Sequence, residues 1–146
     1  MPLYFTLAEA ESLLPKVEGA MRDALSLYAT HAECESKLQE ALGRIAMLGG
    51  AMVNRTEIGE LRERRDNSAT AVNEAIQQIH GFGCQVKDLR TGLVDFPTLY
   101  RGNEVLLCWR FGEKGIHFWH GLEEGFRGRK AIDRDFLDNH RGDRLN

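Results

Sequence analysis

Positions along the first third of the chain recur at intervals of seven. Val17, Ala24, His31, Leu38 and Ile45 form one series, and Ala20, Leu27, Cys34, Ala41 and Leu48 supply the complementary one. This spacing predicts a long amphipathic helix with a coiled-coil seam. Upstream, Thr6-Leu7-Ala8-Glu9 has capping-box form and predicts a helix start. Pro15 lacks an N–H and clashes with the preceding turn, so a short helix over 7–13 followed by a restart at Pro15 is expected. Gly49-Gly50 marks the end of the long helix.

A second helix is predicted from a cap at Asn54, with Glu57 three residues on. Ile58, Leu61, Arg65, Ser68, Val72, Ala75, Ile79 and Phe82 then alternate by three and four. The short connection predicts an antiparallel hairpin over 6–82. Folding it about Val53 sets Leu38 opposite Ser68 and Ala41 opposite Arg65. An arginine in such a seam snorkels outward, bonds a carboxylate such as Glu35, or meets another subunit.

After Gly81-Phe82-Gly83 the period changes. Short β-like runs are expected at 84–87, 93–96, 104–111 and 115–119, divided by turns at Arg90-Thr91-Gly92, Tyr100-Arg101-Gly102-Asn103 and Gly112-Glu113-Lys114-Gly115. They read as an antiparallel β-meander over 84–120. The segment 121–146 is charged, and from Asp133 it has too little apolar content to be held strongly, so its end is expected to be mobile. The fold class is α+β: a short helix, a long antiparallel helical hairpin, and a small three- or four-stranded antiparallel β-meander.

Composition narrows this further. With 146 residues, 42% apolar and 28% charged, the chain is expected to form a single domain over 1–146. Its net charge of only -3 supplies no field for nucleic acid or an anionic membrane. No apolar run approaches the roughly 18 residues that span a bilayer, and Met1-Pro2-Leu3-Tyr4 does not read as a leader, so a cytoplasmic protein is expected. Cys34, Cys84 and Cys108 show no paired-cysteine spacing, which argues against a disulfide framework or a zinc knuckle.

The densest chemistry lies in Cys108 to His120. If Glu113-Lys114 form a two-residue turn, Arg110 faces His117 and Cys108 faces Trp119. Val105, Leu107, Trp109, Phe111, Ile116 and Phe118 then form an apolar face against the helices, while Leu106, Cys108, Arg110, His117 and Trp119 form a mixed face. A three-residue loop would instead set Cys108 opposite His120. His117, His120 and Glu123 fall at intervals of three and, with Cys108, make a ligand set for zinc, nickel or iron. On a regular strand residues three apart face opposite sides, so His117 and His120 converge only where the strand ends or bulges.

As a nucleophile Cys108 would need a histidine base and a lowered pKa, yet it sits in an apolar run with no oxyanion-hole pattern, which reads as core. Asp95 is flanked by Leu93, Val94, Phe96 and Pro97, and a carboxylate buried there must pair with an arginine such as Arg110 or Arg101, or with a backbone N–H. Gly125-Phe126-Arg127-Gly128-Arg129-Lys130 combines cations with flexible backbone and suits an anion, although Glu123, Glu124, Asp133 and Asp135 offset its charge. His31 and Cys34 share one helix face but read as packing.

Several of these runs occur together in a recognisable order. Val86-Lys87-Asp88-Leu89, Gly92-Leu93-Val94-Asp95-Phe96-Pro97, the run Val105 to Glu113, Trp119-His120 and Glu124 to Arg129 resemble the bacterial domain-of-unknown-function family 2203. Phe5-Thr6-Leu7-Ala8-Glu9-Ala10 followed by Leu13-Leu14-Pro15 matches the way such proteins begin. The resemblance implies a small cytosolic bacterial protein whose signature coincides with the Cys108–His120 hairpin. It brings no activity, cofactor or catalytic residue.

The residues themselves lead to a binding or assembly module. Its pocket for a small anionic ligand or a peptide is formed by Cys108, Arg110, His117, Trp119, Arg127 and Arg129. An alternative is a metal-dependent, hydrolase-like enzyme with a divalent zinc, nickel or iron ion on His117, His120 and Glu123 around an activated water. A third reading is a helical-hairpin scaffold for another protein. Met21, Tyr28 and Leu42 are left on the outer face of the hairpin, to meet the sheet or a second copy, so a homodimer through the hairpin is expected.

Overall fold

The computed structural model describes residues 3–48 and 55–143. The expected Gly49-Gly50 stop, the Asn54 cap and the final residues 144–146 lie outside the described residues. Helix α1 runs Leu7–Met47, and α2 runs Arg55–Gly81. The capping box forms as its sequence dictates: Glu9 N–H donates to Thr6 Oγ1 at 3.1 Å, and Thr6 N–H donates to Glu9 Oε1 at 3.0 Å.

The break expected at Pro15 does not occur, because Pro15 lies inside α1. Its ring sits on the exposed side, while Ala10, Leu14, Val17, Met21 and Ala24 form a buried stripe that continues across it. An interior proline costs about 3 kcal/mol. Burial of Leu14, Val17 and Met21, at about 1.5–3 kcal/mol for a large side chain, outweighs it.

The chain divides into two compact units. The first holds residues up to 22 and from 76 onward. Its strands are β1 (Gln85–Asp88), β2 (Leu93–Tyr100), β3 (Asn103–Arg110), β4 (Phe118–Gly121), β5 (Lys130–Ala131) and β6 (His140–Arg141). They form one antiparallel sheet in the order β1-β2-β3-β4-β5, with β6 also on β2. The sheet is thus larger than the meander because the C-terminal segment adds β5 and β6.

Strand β2 runs through Pro97 rather than ending before it. β1 pairs with residues 93–95 and β6 with 99–100, so Pro97 falls in the gap between them. Its carbonyl accepts Phe5 N–H at 2.8 Å, which places its missing N–H on that same outer side, away from β3.

Val94, Phe96, Leu107 and Trp109 are buried on one face of the sheet. Phe5 meets Phe96 edge-on at 5.7 Å and the Arg22 guanidinium lies over Phe111, so the start of α1 covers this face. The opposite face carries Asp95, Leu106 and Cys108. Pairing of Tyr100 with Asn103 follows from a two-residue turn in which Arg101 and Gly102 both have positive φ, 51° and 82°, as a type I′ turn requires.

The C-terminal segment is held more firmly than its composition suggested. A short helix α3 (Arg134–Asn139) is capped by the Asp133 carboxylate, which accepts Phe136 N–H at 2.9 Å. It seats the buried Phe136 against Tyr100, Trp119 and His140. One large aromatic ring compensates for the scarcity of other apolar residues. Asp143 and Tyr4 then exchange two hydrogen bonds.

The second unit comprises residues 23–75, the distal parts of α1 and α2. Here His31, rather than Leu38, meets Ser68, with Nδ1 3.3 Å from its hydroxyl, and Arg65 reaches Glu35 at 3.7 Å. The expected arginine–glutamate pairing forms in a register displaced by one heptad, because a seven-residue pattern is satisfied equally by such a shift. Cys34, Leu38, Ala41 and Val72 fill this seam.

Candidate functional site

Between β3 and β4 the chain makes a seven-residue connection instead of the expected two- or three-residue turn. The reason is local. Glu113 Oε1 accepts Arg110 N–H at 2.6 Å, Glu113 O accepts Trp109 Nε1–H at 3.0 Å, and Gly115 and Ile116 turn inward and are buried. Cys108 consequently pairs with Phe118, and Leu106 with His120. This differs by one residue from the expected register, so Phe118 and Trp119 exchange faces.

The exchange redistributes the expected site residues. Trp119 pairs with Leu107 and packs against Tyr100 and Phe136, away from Cys108. His117 is exposed in the connection, and its backbone carbonyl accepts Ile132 N–H at 2.9 Å. It joins neither Cys108 nor His120. The set His117, His120 and Glu123 is not brought together.

His120, in contrast, turns into the sheet and is buried beside Asp95 and Cys108. Asp95 stands directly opposite Cys108 on β2 and β3, and His120 comes from β4. His120 Nε2 lies 3.1 Å from Asp95 Oδ1, and Nδ1 lies 2.8 Å from the Gly121 carbonyl. The partner of Asp95 is thus a histidine, in place of the arginine or backbone N–H expected for it.

Burial holds the Asp95 carboxyl above the ordinary aspartate range, with the adjacent His120 pulling the other way. Burial also pushes the Cys108 thiol up to about 11, helped by the Asp95 charge and opposed by Arg129. A thiol of that pKa is protonated near neutrality and is a poor nucleophile as it stands.

These three side chains floor a cleft of about 340 Å³ whose rim includes Lys87, Glu123 and Glu124. Glu124 is already engaged: it accepts Gly121 N–H at 2.9 Å and Lys130 Nζ at 2.6 Å, and these bonds, Lys130 first, lower its pKa. A neighbouring cleft of about 600 Å³ shares Asp88, Leu93, Gly125 and Phe126 with the first and adds Arg110 and Arg127. Arg110 lies over the Phe126 ring at 5.8 Å. Arg129, the remaining expected cation, is committed to the scaffold through Glu113, the Cys108 carbonyl, and the rings of Phe118 and Phe126.

Asp95 was legible as an odd buried carboxylate but not as a companion of Cys108. The signal lay in the expected turn Tyr100-Arg101-Gly102-Asn103: once two residues close it, the β2–β3 register pairs 95 with 108.

A family model described as uncharacterized conserved protein, DUF2203, matches residues 3–132, nearly the whole chain, and the protein belongs to that family. The match spans Asp95, Cys108, His120 and both clefts, and ends before α3 and β6. No curated protein and no solved structure matches the chain.

Proposed function

We propose that this protein is a binding module whose 600 Å³ cleft takes a small anionic ligand with an apolar body. One observation carries the reading. Arg110 and Arg127 line the same cleft, and among the described residues neither guanidinium is engaged in an ion pair or hydrogen bond. Guanidinium groups recognise carboxylate and phosphate through paired donors. Leu93 and Phe126 supply the apolar wall that such pockets need. Asp88 also faces the cleft, but its Oδ1 is turned to the backbone N–H of Arg90 at 3.0 Å.

Calorimetric titration with phenyl phosphate, and with neutral benzyl alcohol as the control, tests this reading. The wild type is expected to bind the anion, and the Arg110→Ala/Arg127→Ala protein to bind it at least about tenfold more weakly, since hydrogen bonds to charged groups contribute about 1.5–3 kcal/mol each. Equal binding by both proteins, or no preference for the anion, would overturn it.

A second observation favours self-association through the hairpin. In the unit of residues 23–75 few apolar side chains are fully buried, while Leu27, Tyr28, Leu42, Ile45, Ile58 and Leu61 remain half-buried. A second copy packed on this arm would complete the burial, as in a four-helix bundle. Light scattering on Tyr28→Glu/Leu42→Glu protein is expected to report half the mass of the wild type. An unchanged mass would remove this reading. Three free, buried cysteines fit a reducing compartment, and no helix among the described residues is long and apolar enough to cross a membrane.

A further inference from the structure

The Asp95 carboxylate, the Cys108 thiol and the His120 imidazole each offer one ligand atom, and the three atoms lie within 4.8 Å of one another. Such convergence from three neighbouring strands has an ordinary reading, a buried histidine–aspartate pair beside a small core residue. Three features exceed that reading.

The first is the hydrogen-bond chemistry of His120. A carbonyl only accepts, so the contact between Nδ1 and the Gly121 carbonyl places the ring proton on Nδ1. In the neutral ring Nε2 is then a bare lone pair, yet it points at a carboxylate oxygen 3.1 Å away. His140 shows the satisfied form of the same arrangement: Nδ1 donates to the Leu137 carbonyl, while Nε2 accepts Leu7 N–H at 3.0 Å. His120 has an acceptor where His140 has a donor. A backbone carbonyl on one ring nitrogen is the usual device that aims the other at a metal ion.

The second is Asp95 Oδ2. The residue is only 1% exposed, and this oxygen accepts no hydrogen bond. A buried carboxylate oxygen left without a partner is markedly unfavourable. An imidazolium–carboxylate pair would explain the 3.1 Å contact but would leave the rest of the carboxyl with the Cys108 thiol alone, a weak donor, and no bond of ordinary length to Oδ2.

The third is spacing. Ligand atoms bonded at about 2.0–2.3 Å around a tetrahedral ion lie roughly 3.3–3.8 Å apart. The His120–Asp95 contact is already close to that edge, and the thiol falls within reach.

The geometry points to a divalent, zinc-class cation held by the Asp95 carboxylate, the Cys108 sulfur and His120 Nε2, with its fourth position open to the 340 Å³ cleft. Nitrogen, oxygen and sulfur together suit zinc and its neighbours in the first transition row rather than magnesium or calcium. On binding, Cys108 releases its thiol proton to solvent as the sulfur–metal bond forms. Three protein ligands and one open position characterise sites that bind or activate a further molecule, whereas purely structural zinc sites are closed by four. Lys87 at the rim and Arg129 behind Cys108 oppose the ion's charge, and the exposed Glu123 favours its entry. Its three ligands are not residues of the Arg110/Arg127 reading, and the cleft it opens to meets the larger cleft at Asp88, Leu93, Gly125 and Phe126.

The test is titration of reduced, tag-free protein with Co(II) alone. A near-ultraviolet thiolate-to-cobalt band and strong visible bands are expected to saturate at one equivalent and to be bleached by Zn(II). Cys108→Ser should abolish the ultraviolet band, Cys34→Ser and Cys84→Ser should retain it, and His120→Ala should weaken binding by at least about 100-fold, beyond the loss typical of an outer-shell change. Zinc X-ray absorption on the wild type keeps the question decidable if Cys108→Ser does not fold, because one sulfur and one imidazole must appear in the shell. No thiolate band at large Co(II) excess, a band that survives Cys108→Ser, or a shell of oxygen and nitrogen only would overturn the assignment.

Discussion

Arg129 donates to Glu113 at 2.7 Å, and both side chains are largely withdrawn from solvent. The guanidinium lies 4.1 Å from the Phe118 ring centroid, so this one contact ties the β3–β4 connection to the segment that covers the polar face of the sheet. Replacing Arg129 by Met leaves Glu113 partly buried without its cation. Unfolding in urea is expected to show a loss on the order of 3 kcal/mol. Arg129→Lys should recover only part of it, since an ammonium cannot both stack on the ring and reach Glu113 and the Cys108 carbonyl. A loss below about 1 kcal/mol, typical of exposed pairs, would show that the contact is not a tie.

The glycines at the turns separate two costs. Gly92 has φ of +74°, and a Cβ there would lie 2.7 Å from Phe111 Cβ. Gly102 has φ of +82° with open space around it. Gly92→Ala therefore adds a steric clash to the backbone strain of roughly 1–3 kcal/mol that both substitutions incur. Thermal melts should rank Gly92→Ala as clearly the more damaging of the two.

Phe136 should be worth more than its position in a charged tail suggests. Phe136→Ala removes a fully buried ring that contacts Tyr100, Trp119 and His140. The expected cost is about 3–5 kcal/mol, read from denaturant unfolding. A cost near zero would mean that α3 is not docked.

Cys84 provides a pH signature. Burial pushes its thiol from the ordinary 9.0 up to about 12, and the S–H donates to the Ile79 carbonyl at 3.4 Å. The folded state therefore keeps its proton where the unfolded state has lost it. The associated stability is fully present below about pH 9 and is lost as pH rises from 9 toward 12. Subtracting the Cys84→Ala stability profile from the wild-type profile should isolate that decline. A flat difference across this window would refute the burial argument.

Much of this architecture was legible where one residue type dictates one geometry. Thr6 and Glu9 announced the start of α1, Arg101-Gly102 announced the β2–β3 turn, and the change of period after Gly83 announced the sheet. Where several geometries satisfy one pattern, legibility failed. A heptad repeat does not distinguish His31 from Leu38 as the neighbour of Ser68. Pro15 is a breaker by itself, but the buried stripe on the opposite side of α1 overrides it. Gly112-Glu113-Lys114-Gly115 reads as a tight turn unless the Glu113 side chain is known to bond back to Arg110. That bond, with the Trp109 contact to the Glu113 carbonyl and the inward turn of Gly115 and Ile116, goes with the β4 register that sets His120 rather than His117 beside Cys108. Of the two histidines named from the sequence, the structure sets His120 beside Cys108 and leaves His117 exposed in the connection.

The hydrogen bond from Leu7 N–H to His140 Nε2 joins residues 133 positions apart. Its consequence lies in synthesis. During translation at about 5–20 residues per second, the first turn of α1 waits roughly ten seconds for the side chain that completes it. The β2 edge later occupied by β6 stays open for the last part of that interval, from the synthesis of Tyr100 to that of its partner His140. A ribosome that stalls before His140 thus holds a nascent chain with an unpaired strand edge, the kind of surface that holdase chaperones bind.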